Sequence, residues 1–158
     1  MKYFALMLFG VLILGGIWFL DRESVQPVMT PEISTDETLP TARINGFELQ
    51  LDIVRTPEEK ARGLSDRESL AENMGMLFVY EKPVLPGFWM KDMKFPIDII
   101  WIDAGKKIVD ITENLVPETF SQLFYPRSPV LYVLEVNANW ARNHNVTIGD
   151  EAIFHGIF

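Results

Sequence analysis

Six consecutive residues, Trp89, Met90, Lys91, Asp92, Met93 and Lys94, set aromatic, thioether, cationic and acidic side chains together just before Pro96. Loops at strand ends are where folds usually present function. The stretch suits a ligand cleft walled by Trp89 and Met90, with Lys91 holding an anion or a carboxylate. The plain alternative is that Trp89 and Met90 fill the core and the Lys/Asp pair is a solvated edge.

A second set is acidic. Asp98, Asp103 and Glu135 stand in or beside apolar runs. Glu135 shares the parity of Leu131 and Val133, so a strand there turns it toward an apolar face. A buried carboxylate is costly unless it is paired or hydrogen-bonded, and Arg62, Arg67 and Lys91 are the candidate partners. Asp98 and Glu135 could form a general acid/base pair if their environments split their pKa values. The plain alternative is an ion pair or a carboxylate that accepts backbone N–H bonds.

Methionine is the third. Met74, Met76, Met90 and Met93 fall near Trp89, and thioethers are soft ligands suited to Cu(I). Met90 and Met93 are thus weak metal candidates beside Trp89, against ordinary core filling. Other chemistries are illegible. There are no cysteines and only 2 histidines, which excludes disulfides, thiolate metal sites and a catalytic thiol. Ser65, Ser69, Ser121 and Ser128 have no visible histidine partner, and no phosphate loop, G-x-S-x-G or H-E-x-x-H is present. No cofactor is expected. The 158 residues carry a net charge of −8, which argues against a nucleic-acid backbone as partner.

The elements that must position these residues are short. Residues 47–53 alternate apolar and polar, which predicts a half-buried strand with Phe47, Leu49, Leu51 and Ile53 facing the core. Asn45-Gly46 predicts a two-residue hairpin back to residues 41–44. Thr56, Pro57 and Glu59 form the start of a helix with a capping box, and Gly63 suits a left-handed end. Residues 66–73 suit a further helical turn or two. Strands follow at 75–80, 97–103, 107–112, 130–136 and 151–154, with a long loop over 113–129 and a short helix over 138–144. The expected fold class is α+β: a mostly antiparallel, barrel-like rolled sheet with small helices, the first of them packed across one opening.

Residues 3–20 form an uncharged run of 18 residues. A helix of that length spans ~27 Å, close to the ~30 Å hydrocarbon thickness. Lys2 precedes the run and Asp21, Arg22 and Glu23 follow it, which orients the N-terminus to the cytoplasm. The bulky Trp18, Phe19 and Leu20 disfavour a cleaved signal peptide. The expected organisation is a single-pass transmembrane anchor over 1–20, an acidic, proline-containing linker over 21–40 and a soluble domain over 41–158 outside the cytoplasm.

Several segments of that domain resemble the bacterial and archaeal family called domain of unknown function 192. They are Arg62-Gly63-Leu64-Ser65-Asp66-Arg67, Gly75-Met76-Leu77-Phe78-Val79-Tyr80, the block from Phe88-Trp89-Met90-Lys91 through Pro96-Ile97-Asp98-Ile99, then Val133-Leu134-Glu135-Val136 and Gly149-Asp150. The resemblance spans about residues 43–154 and implies a compact α+β domain with a barrel-like sheet, often exported or membrane-tethered. It imports no reaction. Ser65 stands where the family usually has Met, and Asp92-Met93 where Asn-Thr is usual.

The favoured functional reading is a membrane-anchored extracytoplasmic module of the cell envelope that binds a small ligand or a protein partner and is not catalytic. The alternative is an envelope hydrolase working through Asp98 and Glu135. A third reading is soft-metal binding by Met90, Met93 and Trp89.

Overall fold

The computed structural model describes residues 39–157. The predicted membrane anchor and nearly all of the linker lie outside the described residues. Among the described residues no helix is long and apolar enough to cross a membrane.

Asn45 and Gly46 both take positive φ, 50° and 86°. That is the geometry a two-residue hairpin needs to match the twist of its strands. The turn pairs β1 (Thr41–Ile44) with β2 (Phe47–Val54) in the predicted register, Ile44 opposite Phe47. α1 (Pro57–Arg62) follows, and its capping box forms as the sequence implies: the Thr56 hydroxyl accepts from the Glu59 N–H while the Glu59 carboxylate takes the N–H groups of Thr56 and Arg55. Those backbone bonds hold Glu59 below its ordinary pKa. None of the residues of α1 is buried, so the helix lies on the surface and closes no opening.

The remaining strands are β3 (Met74–Val84), β4 (Ile97–Ile102), β5 (Ile108–Leu115), β6 (Val130–Asn137) and β7 (Ala152–His155), with α2 (Trp140–Asn143) before the last. They form one sheet of seven strands in the order β5-β4-β6-β3-β2-β1-β7. Every neighbouring pair is antiparallel except β2 with β3. A parallel pair needs a crossover, and α1 with the turns after it supplies one. The two edge strands meet at one end. Lys107 and Glu151 form a bridge, and the Ile108 N–H donates to the Asp150 carbonyl at 2.9 Å. The sheet is therefore rolled almost to closure, which protects edges that would otherwise be exposed.

Rolling creates two cores. The inner one draws on all seven strands, among them Ile44, Leu49, Leu77, Ile100, Ile108, Leu134 and Phe154, and is plugged by Trp140 and Ala141 of α2. The outer one lies on the opposite face of β3, β4 and β6, with Phe78, Ile99, Trp101 and Val133, and is covered by Leu64, Leu70, Phe88 and Met90 from the connections. Strands buried on both faces read as continuous apolar runs, and all six residues of β4 are buried. The Trp101 indole N–H donates to the Thr112 hydroxyl at 2.9 Å, which ties β4 to β5.

Four local expectations are corrected. Phe47 is exposed because it sits at the hairpin tip, where the interior opens. Its ring instead meets His144 edge-on at 4.2 Å. Residues 66–73 form turns rather than helix, because Leu64 and Leu70 must both reach the outer core. Gly63 ends α1 with φ 51° and ψ −130°, a glycine conformation but not the left-handed helical one. β3 also continues past Tyr80 through Pro83, with an irregularity where it pairs with β6 between Val79 and Val84.

Candidate functional site

Glu135 sits in the middle of β6, opposite Met76 on one side and Ile99 on the other. That register turns its side chain to the outer face, which is otherwise apolar. The residue is 5% exposed, and its Oε2 has no hydrogen-bond partner. Burial pushes its pKa up from the ordinary carboxyl value to about 8, against the opposing pull of Arg67. Arg67 does not neutralise it, because its guanidinium is paired with Asp52 at 2.6 Å. At neutral pH Glu135 is therefore mostly a neutral acid and a hydrogen-bond donor.

A cleft of about 200 Å³ opens over this acid. One wall is Lys60 and Arg62 of α1 with Gly63, Leu64 and Ser65 beyond it. The floor is Phe78, Tyr80 and Glu135, and the far wall is Gly87, Phe88, Trp89 and Met93. A side chain at Gly63 would start 3.3 Å from the Phe78 ring and 3.9 Å from Glu135 Oε2, so glycine lets the main chain approach the acid. The Tyr80 hydroxyl is pushed up to about 12, first by burial and then by Glu135. The Lys60 ammonium lies 4.2 Å over the Tyr80 ring, and burial lowers its pKa. The walls are tied together. The Ser65 hydroxyl donates to the Lys91 carbonyl at 2.8 Å, the Asp66 N–H donates to the Asp92 carbonyl at 2.9 Å, and Lys94 pairs with Glu68.

The residues singled out in the sequence divide between this cleft and other places. Trp89 lines the cleft, half exposed, with Phe120 edge-on at 6.3 Å. Met93 lines it as well. Met90 does not: it is 1% exposed, inside the outer core. Lys91 points to solvent with its Nζ 3.9 Å from Asp92, and only its carbonyl serves the site. The thioethers of Met90 and Met93 are thus divided between core and cleft.

Asp98 is the largest departure. It is fully buried, and its carboxyl group accepts three backbone N–H groups, from Asn114 at 2.8 Å, Asn139 at 3.1 Å and Ala141 at 3.0 Å. Two of these open α2, whose own first residue offers no side-chain cap, so Asp98 caps that helix from a neighbouring strand. It faces the inner core and Glu135 the outer one. They do not share a site. Asp103 holds the β4–β5 turn through the Lys107 N–H at 2.9 Å. A further buried acid, Asp110, binds the Arg127 N–H at 3.2 Å and pins the long loop.

Lys60, Gly63, Ser65 and Tyr80 line the cleft, yet no pattern in the sequence singles them out together. They come from two separate segments, residues 60–65 and β3, and only folding brings them to Glu135. A broader groove of about 480 Å³ runs between β2 and α2, past Phe47, Trp140 and His144. It is larger but has no buried, unpartnered polar group, so the smaller cleft is the stronger candidate.

The rolled sheet with its few small helices makes this an α+β domain. The chain belongs to the DUF192 family, described as "Uncharacterized ACR", whose model matches residues 40–154. It is similar to a solved structure of a putative transcription regulator from Sinorhizobium meliloti 1021, at 30% identity and TM-score 0.70, over 75% of this chain and 95% of that one. It is also similar to a protein of unknown function from Novosphingobium aromaticivorans DSM 12444, at 28% identity and TM-score 0.68, over 72% of this chain and 83% of that one. No curated protein matches the sequence.

Proposed function

We propose that this chain is a membrane-anchored, extracytoplasmic binding domain of the cell envelope whose cleft over Glu135 takes a small ligand, or one terminal group of a larger one. The observation that carries the reading is Glu135 itself: a buried carboxyl group with an unpartnered oxygen at the base of a preformed, aromatic-walled cleft. An unsatisfied buried polar group costs ~1–3 kcal/mol, a cost that a bound ligand group offsets. Convergent polar groups in a concave apolar setting are the usual signature of ligand sites. The cleft, at about 200 Å³, is smaller than the ~300–1,000 Å³ of drug-sized sites, so the ligand is small. The uncharged run over 3–20 and its flanking charges support the anchor and its orientation.

The hydrolase alternative loses its second acid, because Asp98 is committed to three backbone N–H groups on the opposite face. Soft-metal binding loses Met90 to the core. A net charge of −8 speaks against a nucleic-acid partner here.

The test is a fragment screen against the full chain, read by ligand-observed NMR. Trp89→Ala and Glu135→Leu should abolish the hits while the fold is retained. Hits that bind both variants unchanged would place the ligand elsewhere. For the anchor, a reporter active only in an oxidising exterior compartment, fused after Phe158, should be active. Activity of a cytoplasmic reporter alone would sink the orientation.

A further inference from the structure

We infer that the ligand of this cleft is a small organic acid, its carboxylate set between Glu135 and the rim cations Lys60 and Arg62, its apolar body against Trp89. The inference rests on the binding reading above and adds the chemistry of the ligand. Three ionisable groups besides Tyr80 line the cleft: Lys60, Arg62 and Glu135. Among the described residues neither Lys60 nor Arg62 forms an ion pair, although seven other ion pairs are made. Two cations without a close ion-pair partner thus stand at the mouth, Lys60 over the Tyr80 ring and in the field of Glu81 and Glu59, and an unpartnered acid stands at the base. An incoming cation would meet both positive charges. A neutral ligand would leave them unused. A carboxylate accepts a charge-assisted hydrogen bond from the protonated Glu135 and gives Lys60 and Arg62 a close counter-charge.

The same geometry separates a carboxylate from a phosphate. Phosphate sites are usually built from free backbone N–H groups at a helix N-terminus. The end of α1 that reaches this cleft is its C-terminal one, and the Gly63 N–H is already given to the Glu59 carbonyl at 2.8 Å. The remaining walls are Phe78, Tyr80, Phe88 and Trp89. They favour an apolar body over a strongly hydrated dianion.

The acid predicts its own pH dependence. Arg67, from the turn after α1, acts on Glu135 directly; Tyr80 from β3 and Lys60 and Arg62 from α1 share the cleft with it, Glu81 and Glu59 act on Lys60, and β4 contributes only Ile99 beside it. Guanidinium groups keep their charge throughout, and Tyr80 stays neutral up to about 12. With Glu135 near 8, a bound carboxylate needs it protonated, so affinity is level below that pH and falls above it. Lys60, whose pKa burial lowers, could add to the fall at high pH and is separated by substitution.

The test uses the full chain with methyl-labelled methionine, following the Met93 signal during titration with benzoate, benzyl alcohol, benzylamine and inorganic phosphate. Benzoate should bind at least ~10-fold tighter than the other three and weaken roughly tenfold per pH unit above the Glu135 pKa, as uptake of one linked proton on binding requires. Glu135→Gln keeps a donor, so it should keep benzoate binding and flatten that dependence. Lys60→Gln with Arg62→Gln should weaken benzoate several-fold and leave benzyl alcohol unchanged. Tighter binding of benzylamine or phosphate, or benzoate binding that strengthens with pH, overturns the ligand class but keeps the cleft. A Met93 signal that no probe moves, together with a blank fragment screen, removes the binding reading and this inference with it.

Discussion

Asp98 and Glu135 stand on hydrogen-bonded neighbouring strands, one register step apart, and their side chains leave the sheet on opposite faces. Asp98 is opposite Val136, and Glu135 is opposite Ile99. Successive side chains alternate across a strand, so that one-residue offset decides their roles. Asp98 enters the inner core, where its carboxyl group caps α2. Glu135 enters the outer core, where the cleft reaches it. Two acids that look equivalent in sequence become a structural clip and a site residue.

The two should respond oppositely to removal. Asp98→Ala leaves a fully buried position empty and strands three backbone N–H groups, one buried and two part-buried, and should destabilise the fold by roughly 3 kcal/mol. Glu135→Leu replaces an unpartnered buried acid by an apolar side chain and should stabilise it by ~1–3 kcal/mol. Urea unfolding of the two variants measures both. A stability loss in Glu135→Leu comparable to that in Asp98→Ala would mean Glu135 is a structural residue.

Stability should also depend on pH through Glu135. Its folded pKa, about 8, lies above the ordinary 4.5, so between those values the folded state holds a proton that the unfolded chain has released. Rising pH therefore disfavours folding across that window by at most ~1.4 kcal/mol per unit from this group, and no further above about 8. Unfolding midpoints from pH 5 to 9 should show this slope in the natural chain and lack it in Glu135→Gln.

Gly63 should tolerate no side chain. Gly63→Ala forces a residue into φ 51°, ψ −130°, at a cost of ~1–3 kcal/mol. It also brings a methyl group against Phe78 and Glu135. Lower thermal stability together with weaker ligand binding is the expected result, and an unchanged melting temperature would contradict the backbone argument.

Ser65 acts through the main chain. Ser65→Ala removes the bond to the Lys91 carbonyl and should destabilise by ~0.5–1.5 kcal/mol. Faster amide exchange should be confined to residues 64–67 and 89–93. Protection loss spread over the sheet instead would show that the bond serves the whole fold rather than the cleft walls.

Much was legible in the sequence because it depends on neighbours along the chain. The Asn45-Gly46 hairpin, the capping box of Thr56 and Glu59, the boundaries of β4 and β6, and the short helix before β7 all follow from local turn chemistry and apolar pattern. Glu135 as an acid on an apolar face was legible for the same reason. What the sequence could not decide is which of two apolar faces a residue joins once strands are buried on both sides. Period-two patterning vanishes in a strand such as β4, so nothing local separates Asp98 from Glu135 or marks Met90 as core and Trp89 as wall. The meeting of Lys60, Gly63, Ser65 and Tyr80 at Glu135 depends on the parallel pairing of β2 with β3. That long-range contact swings α1 and its following turn over the outer face, and only the rolled sheet imposes it.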